Sequence, residues 1–215
     1  MAQLFSRGAN TLARVLIVGG FGGVALVIFA LTVWFRSPAS TGVGRTVEQP
    51  VPFSHAHHVG ALRIDCRYCH QSVETAAFAG IPDTDTCMSC HWQVWTEVEM
   101  LEPVRESWRT GERLRWRRVY NLPDFVYFDH SIHGAGGVGC VTCHGQVDQM
   151  PLLVKAQPLT MQWCLDCHRD PAPNLRPVDE VFATDWRPRE DRRKLGRRPL
   201  QGRGLETGSL PECVT

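Results

Sequence analysis

From Val15 to Phe35 the chain reads VLIVGGFGGVALVIFALTVWF, an uninterrupted apolar run without a charge, bounded by Arg14 and Arg36. At about 1.5 Å per residue such a run forms a helix of roughly 30 Å, the thickness of the hydrocarbon core of a bilayer. A cleavable signal peptide has an apolar stretch of only about 7–15 residues. The pattern therefore predicts an uncleaved transmembrane anchor over 15–35, behind a short N-terminus over 1–14. Trp34 and Phe35, next to Arg36, are suited to the membrane interface. Flanking charge does not orient the span, because Arg7 and Arg14 on one side face Arg36 and Arg45 on the other. No ionisable residue lies inside it, so it anchors rather than conducts. Gly19 and Gly23 have the small-xxx-small spacing that lets a second helix approach; equally, glycine is common in membrane helices.

Beyond the span the apolar pattern becomes short and broken. Residues 36–50 read as a linker. In the connecting segment, 92–127, Pro103 suits a helix start and Gly111 a helix end. Partial alternation over Leu114 to Tyr120 predicts a strand. Past His168 the composition turns to Pro, Gly and Arg, which predicts a surface arm or extended crossing segment over 169–215 with little core of its own. Its basic run from Arg187 to Arg203 reads either as a solvated face or as a docking surface for an acidic partner or anionic lipid.

The chemistry lies in the cysteines. Eight of the nine fall in four CxxCH motifs: Cys66, Cys69 and His70; Cys87, Cys90 and His91; Cys140, Cys143 and His144; Cys164, Cys167 and His168. In each, two thiols can form thioethers to haem vinyl groups while the adjacent histidine reaches the iron. A single CxxCH admits a zinc half-site or a redox dithiol. Four copies using nearly every cysteine point to covalently bound haem c.

Each motif histidine supplies one axial ligand. Candidates for the opposite position are His55 and His58 in FSHAHH and His130 and His133 in FDHSIH. In both phrases the histidines lie three apart, on one face of a helical turn, and each phrase precedes a CxxCH motif closely. Four irons and four such histidines match in number. His57 is the odd one out; Met150 and Met161 are alternative ligands or packing residues.

The phrases belong to an internal repeat. The order FxHxxH, CxxCH, CxxCH runs over 51–91 and recurs over 128–168 with an offset of about 75 residues, which predicts a duplicated two-haem module. The predicted fold is a multihaem cytochrome c: one N-terminal transmembrane helix, then mostly short helices and loops wrapped around covalently bound haems. The macrocycles form much of the core. Trp92, Trp95, Trp108, Trp116, Trp163 and Trp186 are expected to pack on porphyrin edges and each other. A net charge of +1 gives no footprint for nucleic acid.

The strings VPFSHAHHVGALRIDCRYCHQSVETAAFAGIPDTDTCMSCH, LEPVRESWRTG, LPDFVYFDHSIH and CVTCHGQVDQMPL resemble the membrane-anchored multihaem cytochrome c subunit of bacterial alternative complex III, over about Val51 to Arg169. The resemblance implies an electron-transfer subunit of a quinol-oxidising complex without a catalytic site of its own. Electrons would pass from the iron–sulfur clusters of a partner subunit, beside a transmembrane subunit, to a periplasmic acceptor such as a cytochrome c or copper protein. It also implies a single-pass protein of the bacterial cytoplasmic membrane with its haem domain on the outer side. That family usually carries five haems, the last at a C-terminal CxxCH. SLPECVT, with Cys213, resembles such a motif cut short; either the sequence stops within it or Cys213 is a free thiol. Two alternatives are a membrane-anchored tetrahaem quinol dehydrogenase and a multihaem reductase with one open iron.

Overall fold

The computed structural model describes residues 5–202 and divides into two compact units, one up to Gly42 and one from Val43 on. Cys213 lies outside the described residues. The first unit is helix α1, Ala9–Arg36, followed by the short α2, Pro38–Thr41. Among the described residues α1 is the one helix long and apolar enough to cross a membrane, with a mean hydropathy of 2.5. None of its residues is buried. A helix that is apolar on all sides and exposed along its length fits a membrane anchor.

The second unit carries eight cysteines and seven of its nine histidines on short helices, with His55 and His70 flanking two of them: a π-helical turn over Ala56–Ala61, α3 (Cys66–Cys69), α4 (Thr84–His91), α5 (Glu102–Thr110), α6 (His130–Ala135), α7 (Cys140–His144), α8 (Met161–Arg169) and α9 (Arg192–Gly202). Helices this short are marginal by propensity alone, and their starts are held by caps. The Asp65 carboxylate accepts from Arg67 N, Asp83 from Thr86 N, Asp129 from Ser131 N and Ile132 N, and the Thr160 hydroxyl from Trp163 N. Of the four helices that carry the motifs, α7 differs: Gly139 caps it without a side chain.

The described residues contain no large side chain that is fully buried. The core is two small clusters. One joins Val51, Met88, Leu101 and Val104, with Cys87, Leu114 and Trp116 against it; the other joins Ala172, Leu175 and Leu200, with Val138 beside it. Isolated backbone bridges add to these clusters. Val43 bridges Lys155, Thr46 bridges Val154, and Val138 bridges Leu175.

One expectation about local structure fails for a tertiary reason. No strand forms over 114–120; the Gln49 side-chain amide occupies this backbone, donating to Arg117 O at 2.8 Å and accepting from Arg117 N at 3.0 Å. The C-terminal arm does contribute to the core. Gly196 and Leu200, one turn apart on α9, are buried against the turn over Ala172–Asn174, where a methyl at Gly196 would overlap the Ala172 carbonyl. The expected helix near Pro103 is α5, which ends on Gly111 at φ 75°.

Candidate haem-binding sites

Three of the CxxCH motifs lie wholly on a helical turn, which places both thiols and the following histidine on adjoining positions of one side, while in the first the helix ends at Cys69 and His70 caps it. The eight motif cysteines are all free thiols, none paired in a disulfide. Burial raises the Cys140 thiol to about 11, with Cys66 adding to it. It raises Cys143 to about 12, with Cys167 and Cys164 next in effect.

The histidines of the two phrases face the motif histidines in pairs. Ring centres are 6.2 Å apart for His58 and His91, 6.4 Å for His130 and His144, and 6.1 Å for His133 and His168. An imidazole nitrogen bonds a metal at about 2.0 Å and lies about 1.1 Å from its own ring centre, so two rings on opposite sides of one iron have centres about 6.2 Å apart. The three observed separations match that value. His55 and His70 are the remaining couple. Burial and then His70 lower the His55 pKa to about 4, keeping the ring neutral.

Hydrogen bonding aims these rings. Nδ1 contacts a backbone carbonyl in five of them: His58 to Ser54 at 2.9 Å, His70 to Gly80 at 2.7 Å, His91 to Val94 at 3.1 Å, His130 to Ala77 at 2.8 Å and His133 to Asp129 at 2.7 Å. A carbonyl only accepts, so Nδ1 carries the proton and Nε2 keeps the lone pair a metal needs. Burial reinforces neutrality at His144, whose pKa falls to about 4, with His130, His70 and His55 acting in the same direction. The Nδ1 of His55 is the one buried side-chain nitrogen or oxygen among the described residues without a hydrogen-bond partner. Imidazoles facing each other at iron-spanning distance, beside paired thiols, fit haem c at the second, third and fourth motifs, and His55 beside His70 offers the same two ring types at the first.

Phe53 and Phe128 brace the phrases. Phe53 lies 4.9 Å from the His55 ring and 4.4 Å from that of His58; Phe128 lies 4.8 Å from His130 and 4.4 Å from His133. The repeated phenylalanine thus wedges between the two imidazoles of its phrase. The phrases nevertheless differ in backbone, since His58 lies in a π-turn and His130 and His133 in the α-helix α6.

The other candidates go elsewhere. His57 stacks on Trp95 at 5.3 Å, and Trp95 in turn lies 6.3 Å from His91. Met161 is 56% exposed. Met150 uses its carbonyl to accept from Ala56 N, while its methyl lies near Gly145. Trp92 packs against Trp108 at 5.9 Å.

Sequence reasoning missed Tyr120. Its ring lies 4.4 Å from that of His144, its hydroxyl accepts from Ala156 N at 2.9 Å, and it sits 3.2 Å from the carbonyls of His144 and Val154. A lone tyrosine in a segment read as strand carries no local signal of this role. Tyr120→Phe keeps the ring but orphans these partners, so thermal unfolding of the haem-loaded protein should show a loss of about 1–3 kcal/mol. An unchanged Tm would mean that water replaces the hydroxyl.

The motifs also touch one another. Tyr68 and Ser89, from inside the first and second motifs, share a 2.7 Å hydrogen bond. The first and third flank one segment: Cys66 Sγ lies 3.9 Å from Phe182 O, and Cys140 N donates to Val181 O at 3.1 Å. The Cys143 thiol is influenced by both cysteines of the fourth.

No protein-family model matches the chain. Over 122 residues it is 34% identical to the menaquinone reductase multiheme cytochrome c subunit of Nitratidesulfovibrio vulgaris. The match covers 56% of this chain and 56% of that protein, so the chain spans little more than half the length of its relative. Paired thiols, facing imidazoles and this similarity converge on a multihaem cytochrome c as what the chain resembles.

Proposed function

We propose that the chain is a membrane-anchored electron-transfer subunit holding four c-type haems. The observation that carries this reading is the facing of phrase and motif histidines at 6.1–6.4 Å. Cys66 and Cys69 would hold one haem with His70 and His55 as axial ligands; Cys87 and Cys90 the next, with His91 and His58. Cys140 and Cys143 would act with His144 and His130, and Cys164 and Cys167 with His168 and His133. A haem bound in this way supplies a reversible one-electron iron centre. Two protein ligands on every iron leave no position for a substrate, which favours relay over catalysis by a reductase. The contacts between motifs favour the order second, first, third, fourth, with the first and third in the middle.

In the fuller reading the chain serves a quinol-oxidising complex of the alternative complex III kind. Its haem domain lies on the periplasmic side, and it takes electrons from iron–sulfur clusters of a partner subunit and passes them to a periplasmic cytochrome c or copper protein. Cys213 would begin a fifth haem motif. The name of the relative favours a second reading, in which electrons move toward a menaquinone. Both share the relay and differ in direction.

Intact mass of the protein purified from its membrane tests the haem reading, since each macrocycle adds roughly 600 Da. Four increments are expected on residues 1–215, and five on a longer chain completing the motif at Cys213; none would overturn it. Direction is read on the intact complex. Reduction of the haems by a menaquinol analogue, with onward transfer to a soluble acceptor, supports quinol oxidation. Quinone-dependent reoxidation of haems reduced from the soluble side supports the reverse. A purified chain that is itself reduced by the quinol analogue would instead be a quinol dehydrogenase.

A further inference from the structure

Arg176 is 7% exposed, yet among the described residues it makes no ion pair. Its Nη1 donates to the carbonyls of Glu180 at 3.3 Å and Ala183 at 2.9 Å, and its guanidinium lies 4.7 Å from the Trp186 ring centre. These contacts hold the group without an ion pair, while the nearby Glu180 carboxylate favours the cation and Arg192 opposes it. A cation taken out of water with no ion pair to offset the loss of hydration needs an explanation.

Its position supplies one. The guanidinium lies against Gly139, the residue that caps α7 immediately before Cys140; a methyl there would overlap Cζ, Nε and Nη2. Gly139 is thus the one motif cap replaced by glycine for lack of room. Arg176 N also donates to Gly137 O at 2.9 Å, and Val138 bridges Leu175, so backbone on both sides fixes the charge next to the third motif.

We propose that the buried charge of Arg176 raises the reduction potential of the haem held by Cys140, Cys143 and His144. This rests on the four-haem reading above. When the ferric iron takes one electron from a neighbouring reduced haem, which is oxidised in that step, the net charge of the site falls by one. A fixed positive charge nearby, poorly screened because it is buried, stabilises the reduced form. The third motif lies in the middle of the relay, so this arginine biases where an electron rests in transit.

The experiment is a spectropotentiometric titration of the purified haem-loaded protein, with intact mass taken in parallel. In Arg176→Met one of the four midpoints should move to a more negative value while the others stay. It should be the midpoint missing from the Cys140→Ala/Cys143→Ala variant. Arg176→Lys, which keeps the charge, should stay near the parent. Four unmoved midpoints in Arg176→Met overturn the proposal, and so does an equal shift in Arg176→Lys, which would make packing the cause. If Arg176→Met does not retain its haems, Gly139→Ala serves instead: it keeps the arginine but displaces the guanidinium, and the same midpoint should fall. No movement there overturns the proposal. A parent protein without haem increments would overturn the functional reading itself, whereas four increments with unmoved potentials would remove only the role of Arg176.

Discussion

In the four-haem reading, His130→Ala is expected to convert one low-spin haem to high-spin and to slow electron transfer between the two ends of the relay by about 10-fold or more, since loss of even an outer partner of a metal ligand typically costs about 10–100-fold. His130 faces His144 at 6.4 Å and hydrogen-bonds to Ala77 O at 2.8 Å, so it stands opposite the histidine of the third motif while tying α6 to the segment between the first two. Its loss strikes a middle position. His133→Ala and His58→Ala, facing the fourth and second motifs, should each produce one high-spin haem too, but each leaves the other three in an unbroken series. The ring planes help to tell the sites apart: His130 and His144 are within 19° of parallel, whereas His58 and His91 are inclined at 64°. Low-spin electron paramagnetic resonance signals depend on that angle, so each variant should lose a different signal. Unchanged spectra in all three would sink the axial pairing.

Gly60→Ala should be the most damaging single methyl addition on the haem-bearing turns. Gly60 lies in the π-turn that carries His57 and His58, and an added methyl would overlap the backbone carbonyl of Asp148 in the turn over Val147–Gln149. Backbone cannot step aside as a flexible side chain can, so the two turns must separate. Overpacking of this kind costs about 1–3 kcal/mol, and at about 2–4 °C per kcal/mol for a domain of this size the Tm of the haem-loaded protein should fall by several degrees. His58 moves with the turn, so the absorption of the second-motif haem should change as well. Gly134→Ala in α6 is the control: an added methyl there meets nothing within 4 Å. It should be neutral or slightly stabilising, because alanine favours helix over glycine by up to about 1 kcal/mol. Equal Tm losses in the two variants would show that helix chemistry, rather than the Asp148 contact, governs the effect.

Much of the candidate site was legible because its information is local. Two thiols and a histidine within five residues form one cluster wherever the chain runs, and FxHxxH brings two imidazoles close together. The apolar run was legible for the same reason, and so was α5, whose proline and glycine lie at its own ends. The strand expected over 114–120 failed because a strand needs a partner, and here the backbone of Arg117 is met by the Gln49 side chain. The small core of the arm was not legible because the pocket for Leu200 is built by Ala172 and Leu175, which precede it by more than twenty residues. Tyr120 and Arg176 carry no local pattern at all; their roles arise from the carbonyls and rings brought to them.

The sequence by itself determined the chemistry on offer: an apolar span, four thiol pairs each with its histidine, and two phrases of spare imidazoles. Only the tertiary structure decided how these meet. It set His58 against His91, His130 against His144 and His133 against His168, left His55 for His70, and placed a buried cation beside the third motif. The physical reason is one of range. Motif spacing is set by a few backbone dihedrals between neighbours in the chain, whereas ring-to-ring pairing depends on where distant carbonyls such as those of Ala77 and Gly80 lie to receive an Nδ1 proton and turn Nε2 toward its opposite.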